Sequence, residues 1–122
     1  MILFFLGPSS SGKDYFRGWL IKNYSFLSEI VLHTTRPMRL GEIDGVSYNF
    51  VTMEEMDRLE KENLLIERRD YNTISGVWSY ATSAAAIDSN KIHLATGTPK
   101  MLESFINYYG NDMPITFFLY SC

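Results

Sequence analysis

The sequence predicts an α/β fold, a parallel-sheet core carrying an inserted small mixed β/α subdomain, within one domain of 122 residues. Three observations lead there. Four short apolar runs lack clean alternation, as strands buried on both faces of a parallel sheet do. Helical patterns separate those runs, which calls for crossover connections. A middle section, residues 36–90, changes texture to Gly- and Asp-punctuated alternation and reads as an insert on a core of residues 1–35 and 91–122.

The elements follow in order. "ILFFL" (2–6) is the first strand, and a glycine-rich turn leads into the helix "DYFRGWLIKNY". There Tyr15 with Trp19, and Phe16 with Leu20, are spaced to share a face. "EIVLHTT" (29–35) is the second strand. In the insert, "GEIDGVSYNFV" suggests a hairpin or short sheet. "TMEEMDRLEKEN" has Thr52 and Glu55 at capping-box spacing and reads as a helix. "LLIERRDY" and "VWSYATS" are further strands, joined by a loop holding Asn72, Ser75 and Gly76. "KIHLAT" (91–96) returns to the core. "TPKMLESFINYYG" is a helix capped by Thr98, with Pro99 at its first position and Gly110 at its end. "PITFFLY" (114–120) is the last strand.

Composition narrows the function classes. Hydrophobic residues make up 46% and charged residues 20%, enough for a folded core. A net charge of −3 gives no general attraction to nucleic acid or anionic membranes, so neither is an expected partner. Any phosphate binding must come from local arrangement. Cys122 is the only cysteine, which excludes a disulfide framework. Gly7 and Pro8 end the opening apolar run before signal-peptide length. No later run approaches the roughly 20 residues that span a bilayer. A soluble, cytoplasmic protein is expected.

The stretch "FFLGPSSSGKDYF" carries the first chemical signal. A phosphate-binding loop reads Gly, four residues, Gly, Lys, then Ser or Thr. Gly7, Gly12 and Lys13 are in register, and Asp14 stands at the hydroxyl position. The glycines let backbone amides converge on an anion, and the following helix adds the positive end of its dipole. Gly7, Pro8, Ser9, Ser10, Ser11, Gly12, Lys13 and Asp14 are therefore the candidate ATP-binding residues, with Lys13 reaching the terminal phosphates. A carboxylate is a hard oxygen ligand, so Asp14 is the candidate ligand for Mg2+. The bland alternative is an ordinary strand-to-helix turn with an exposed lysine; the order strand, turn, helix favours the nucleotide.

Arg36 and Arg39 are three apart, with Pro37 stiffening the backbone between them. Two guanidinium forks can grip a phosphate bidentately, and the hydroxyls of Tyr48 and Tyr80 can join them. Taken alone, such residues read more simply as a solvated arginine pair and two core tyrosines.

The segment "HTTRPMRLGEIDGVSYNFVTMEEM" resembles the monophosphate-binding segment of guanylate kinases, T-T-R-x-x-R-x-G-E-x-x-G-x-x-Y-x-F-V. It matches at Thr34, Thr35, Arg36, Arg39, Gly41, Glu42, Gly45, Tyr48, Phe50 and Val51. "GPSSSGK" resembles that family's loop, "NLLIERRDY" its "F-I-E-W" strand, and "YATS" its "Y-G-T-S". With gaps, the resemblance runs over essentially the whole chain. It implies a P-loop kinase core and an ATP-dependent nucleoside monophosphate kinase, passing the γ-phosphoryl group of ATP to GMP or a related monophosphate with Mg2+. It assigns Arg36, Arg39, Tyr48 and Tyr80 to the acceptor phosphate, Glu67 to the guanine ring and exocyclic nitrogens, and Thr82 to the base. Lys13, Arg36 and Arg39 become the expected catalytic residues.

Three departures accompany the resemblance. Leu32, with His33 beside it, stands where the family places a Ser that reads the guanine oxygen. Ala95 and Gly97 stand where the family has aspartates. The family's lid and C-terminal helices would follow "PITFFLYS", where this sequence ends, so a longer natural protein or a reduced form with weaker chemistry is expected. The competing reading is a catalytically weak or inactive module of the same family that binds a nucleotide or a phosphopeptide.

Overall fold

The computed structural model describes residues 1–7 and 12–119, with Lys13 and Asp14 described as backbone. The chain divides into two compact units, one of Met1–Ile30 with Ile87–Cys122 and one of Val31–Ala86.

The first unit holds a four-stranded sheet of β1 (Ile2–Leu6), β2 (Leu27–Glu29), β7 (Ile92–Gly97) and β8 (Ile115–Leu119), in the order β2-β7-β1-β8. All pairings are parallel, with Phe4 opposite Ala95 on one side and Phe117 on the other. Inner strand β1 is the apolar centre: Ile2 and Phe4 are fully buried. Helix α1 (Lys13–Asn23) follows β1, and α3 (Pro99–Tyr109) joins β7 to β8. Phe4 meets Phe105 of α3 edge-on at 5.4 Å, and Phe5 meets Phe16 of α1 at 5.6 Å. Thr98 caps α3 by accepting a hydrogen bond from the Met101 amide, with Pro99 first in the helix and Gly110 closing it at φ 56°. On α1 the Phe16 and Leu20 side chains lie partly buried, whereas Tyr15 and Trp19 are exposed.

Strand β8 departs from the expectation of burial on both faces. It is an edge strand, and Phe117, Phe118 and Leu119 are 55%, 44% and 81% exposed. The position of Gly97 has a steric cause. A Cβ there would stand 2.7 Å from Met101 Sδ and 3.1 Å from Phe4 Cζ, so α3 packs where any larger residue needs the thioether to move.

The second unit holds β3 (His33–Thr34), β4 (Asn49–Phe50), β5 (Leu65–Thr73) and β6 (Gly76–Ser83) in the order β4-β3-β6-β5. Strands β5 and β6 form an antiparallel hairpin that runs further than expected, through Thr73 and Gly76. Thr73 Oγ1 closes its turn by donating to Gly76 O, and Gly76 adopts φ 111°. Helix α2 (Met53–Lys61) starts at Thr52, whose hydroxyl accepts from the Glu55 amide. Met56 and Leu59 of α2 pack on Leu65 and Ala81, with Val51 against them.

Two expectations need correction. The run of residues 29–35 is not one strand: β2 ends at Glu29 and β3 begins at His33, in different sheets. The segment from Gly41 to Val51, expected as a hairpin or short sheet, is not a hairpin, though its Asn49–Phe50 joins a sheet as β4. Gly41 (φ 89°) and Gly45 (φ 83°) turn the chain back; Asn49–Phe50 pairs in parallel with β3, and Asp44 and Tyr48 form an isolated bridge. Asp44 Oδ1 accepts from the Phe50 amide at 3.0 Å, so a side chain takes a bond that a hairpin would give to backbone.

Candidate functional site

The glycine-rich loop leaves the C-terminal end of β1. Gly7 follows the strand, and Gly12 caps α1 in the left-handed region at φ 87°, a conformation glycine adopts without steric cost. Among the described residues, no side chain caps this helix. Pro8, Ser9, Ser10 and Ser11 lie outside the described residues, as do the side chains of Lys13 and Asp14 and the whole of Cys122. Strand β1, the glycine-rich sequence and helix α1 nonetheless follow one another in the order an anion-binding loop needs. Among the described residues, no three His, Cys, Asp or Glu side chains gather to hold a metal. No helix among them is long and apolar enough to cross a membrane.

In the second unit, register sorts the side chains onto two faces, since residues directly opposite in an antiparallel pair share a face. Glu67 lies opposite Thr82, Arg69 opposite Tyr80, and Tyr71 opposite Trp78. Thr34 of β3 also lies opposite Tyr80. The alternate residues Arg68, Asp70, Ser79 and Ala81 face α2. Arg68 there reaches Asp57 at 2.8 Å and Glu60 at 3.3 Å, tying strand to helix. A bulge between Leu65 and Glu67 permits the arrangement. Two residues apart, they would share a face in a regular strand; the extra residue lets Leu65 join the α2 core and turns Glu67 the other way.

Arg36 anchors one end of the polar face. It is almost fully buried, and its fork meets Glu42 squarely: Nη1 donates to Oε1 at 3.0 Å and Nη2 to Oε2 at 2.7 Å. Its Nη1 also donates to Pro37 O, and its Cζ lies 5.2 Å from the Tyr48 ring centre. Tyr48 and Tyr80 meet edge-on at 6.0 Å. The Glu42 hydrogen bond raises the Arg36 pKa above its ordinary value against the cost of burial, and the Tyr80 hydroxyl adds to it. The same bond, with the Arg39 amide donating at 2.7 Å, lowers Glu42 to about 2. The Arg39 side chain is exposed on this loop.

Glu67 anchors the other end. Its carboxylate is buried, accepting from Thr82 Oγ1 at 2.9 Å on Oε1 and from Arg69 Nε at 3.0 Å on Oε2. The predicted residues Arg36, Tyr48, Tyr80, Glu67 and Thr82 thus gather in one unit. Donors at Arg36 and the tyrosines suit a phosphate, and a buried carboxylate beside a hydroxyl suits a planar edge with paired N–H groups.

His33 does not join them. It lies opposite Ala81, on the face α2 covers, and Glu67 and Thr82 face the other way. Its Nδ1 is buried without a partner among the described residues, and burial lowers its pKa. It borders a recess of about 470 Å³ with Asp44, Asn49, Phe50, Val51, Ala85 and Ala86. Sequence reasoning assigned no role to Glu42 and Arg69. The signals were the matched Glu six residues after Arg36, and a cation two positions from Glu67 on one strand.

Comparison with known proteins places the chain in a family. Residues 1–96 match the family model described as guanylate kinase. A guanylate kinase of Haemophilus influenzae is 37% identical over 98 residues, covering 79% of this chain and 44% of that protein. One of Schizosaccharomyces pombe is 42% identical over 82 residues, covering 66% and 39%. The crystal structure of guanylate kinase from Anaplasma phagocytophilum superposes with a TM-score of 0.61 over 96% of this chain and 58% of that one, at 23% identity, which speaks to the fold. The chain spans less than half the length of the curated relatives it matches. Matched along residues 1–96, with the polar face of the second unit inside that stretch, the chain belongs to the guanylate kinase family, a family of phosphotransferases.

Proposed function

We propose that this chain carries the donor loop and the acceptor face of an ATP-dependent nucleoside monophosphate kinase that passes the γ-phosphoryl group of ATP to GMP or a close relative. The observation that carries this reading is Arg36, locked by Glu42 beside Tyr48 and Tyr80. It shares a unit with the Glu67 carboxylate and the Thr82 hydroxyl. In this reading the second unit is the acceptor-binding insert.

Phosphoryl transfer asks little covalent chemistry of a protein; it asks for positioning and charge neutralisation. Arg36, Arg39, Tyr48 and Tyr80 would hold the acceptor's phosphate. Glu67 would accept from two adjacent N–H groups of guanine, with Thr82 at the base. Loop amides and Lys13 would hold the phosphates of ATP. Mg2+ would screen those phosphates, and Asp14, at the second position of α1, offers the hard oxygen donor that this ion prefers. A cytoplasmic setting, where both nucleotides are abundant, completes the reading.

The test is a coupled ADP-release assay with GMP, dGMP, AMP, UMP and CMP, run on the natural full-length protein. Release that depends on GMP or dGMP is the expected result. Tight GMP binding without ADP release would replace the kinase with a binding module.

A further inference from the structure

Resting on the reading above, we propose that Arg69 is an exchangeable latch, closing the base-reading carboxylate of Glu67 until a phosphate on the same face draws the guanidinium away. In the structure Arg69 lies along Glu67, with Nε donating to Oε2 at 3.0 Å and Nη2 approaching Oε1 at 3.4 Å. Thr82 takes another position on Oε1. A carboxylate offers about four acceptor sites, so these bonds leave little for an incoming base. The Glu67 side chain is accordingly only 3% exposed, beneath an Arg69 that is 32% exposed.

The register shows where else Arg69 can reach. It sits directly opposite Tyr80, whose ring meets Tyr48 at 6.0 Å beside the Arg36 guanidinium. Opposite residues on one face have Cβ atoms about 5 Å apart, within the reach of an arginine stem. Arg69 therefore stands one row from the carboxylate and in the row of the phosphate clamp. Its partner Glu67 is a monoanion; an acceptor phosphate carries more charge and more acceptor oxygens, and bidentate guanidinium contacts favour it. Moving Arg69 to the phosphate exposes Glu67 to the base. Phosphate and base recognition are then coupled, and a ligand lacking either part binds poorly.

Calorimetric titration of the natural full-length protein with GMP, guanosine and ribose 5-phosphate tests this. In R69A, ribose 5-phosphate binding should weaken roughly tenfold, the scale of one charge-assisted hydrogen bond. Guanosine should bind about threefold tighter or more, since Glu67 no longer needs to be released. R69Q, which keeps part of the stem over Glu67, carries the same two expectations where R69A folds poorly. Guanosine binding that weakens in the variants would overturn the latch and make Arg69 a fixed support of Glu67. Unchanged binding of both ligands would also overturn it, leaving a surface ion pair. Wild-type protein that binds no GMP at all would instead strike the monophosphate reading itself.

Discussion

Arg36 owes its orientation to one carboxylate. Glu42 accepts both ends of the guanidinium fork and the Arg39 amide besides, so the loop between the two arginines is closed on a single acid. Changing Glu42 to Gln should therefore raise the KM for every monophosphate alike, by roughly tenfold, since it loosens a phosphate contact and leaves the base untouched. The same substitution has a signature in acid. Glu42 is lowered from 4.5 to about 2 in the folded chain, so its stabilising effect is complete above pH 4.5 and fades as pH falls toward 2. Urea midpoints across that window should fall less steeply in E42Q than in wild type; parallel profiles would contradict the assignment. In the proposed reading, Arg39, exposed, and Glu67, buried, serve the two halves of recognition. R39A should weaken GMP, AMP and CMP alike, and E67A should weaken GMP most; kinetics over the panel of monophosphates distinguishes them. The arginine pair stood out only through the longer motif around it, since spacing alone left a solvated pair as the simpler reading. Glu42 was visible as a matched letter, but its task depends on a turn through Gly41 that brings position 42 back onto position 36, which one-dimensional spacing does not show.

At the scale of elements, helices were read well and short strands poorly, for physical reasons. Helix ends carry local chemistry: Thr52 and Thr98 each accept from the amide three residues on, as their spacing predicted. T52A should cost about 1 kcal/mol. M56A should cost about 2–5 kcal/mol, because Met56 is fully buried at the centre of the α2 core. Chemical denaturation measures both, and a loss below about 1 kcal/mol in M56A would remove α2 from its place as the support of the sheet. The run of residues 29–35 misled because apolar continuity says nothing about which sheet a residue joins. The bulge at Leu65–Glu67 was likewise invisible in sequence, yet it decides that Glu67 faces away from α2. The loop from Gly41 to Val51 alternated like a hairpin but closes on local turns, Gly45 N donating to Tyr48 O and Val46 N to Ile43 O, with the Ser47 and Asp44 side chains accepting from the Ile43 and Phe50 amides.

At the scale of the whole molecule, each unit holds its own set of groups: Gly12 at the start of α1 in one, a guanidinium and carboxylate face in the other. Asp14 in place of a hydroxyl gives the first unit its own prediction. A carboxylate near phosphates is unfavourable without a cation between them, so ATP affinity should fall more steeply on adding EDTA than in a loop with Ser or Thr. In D14S that extra dependence should disappear; equal steepness in the two proteins would contradict it. The central claim belongs to the second unit, and a crystal of the protein soaked with GMP tests it most directly. The phosphate should sit against Arg36, Tyr48 and Tyr80, and the guanine edge should meet Glu67 and Thr82. A nucleotide bound elsewhere, or this face left bare at saturating GMP, would contradict the account.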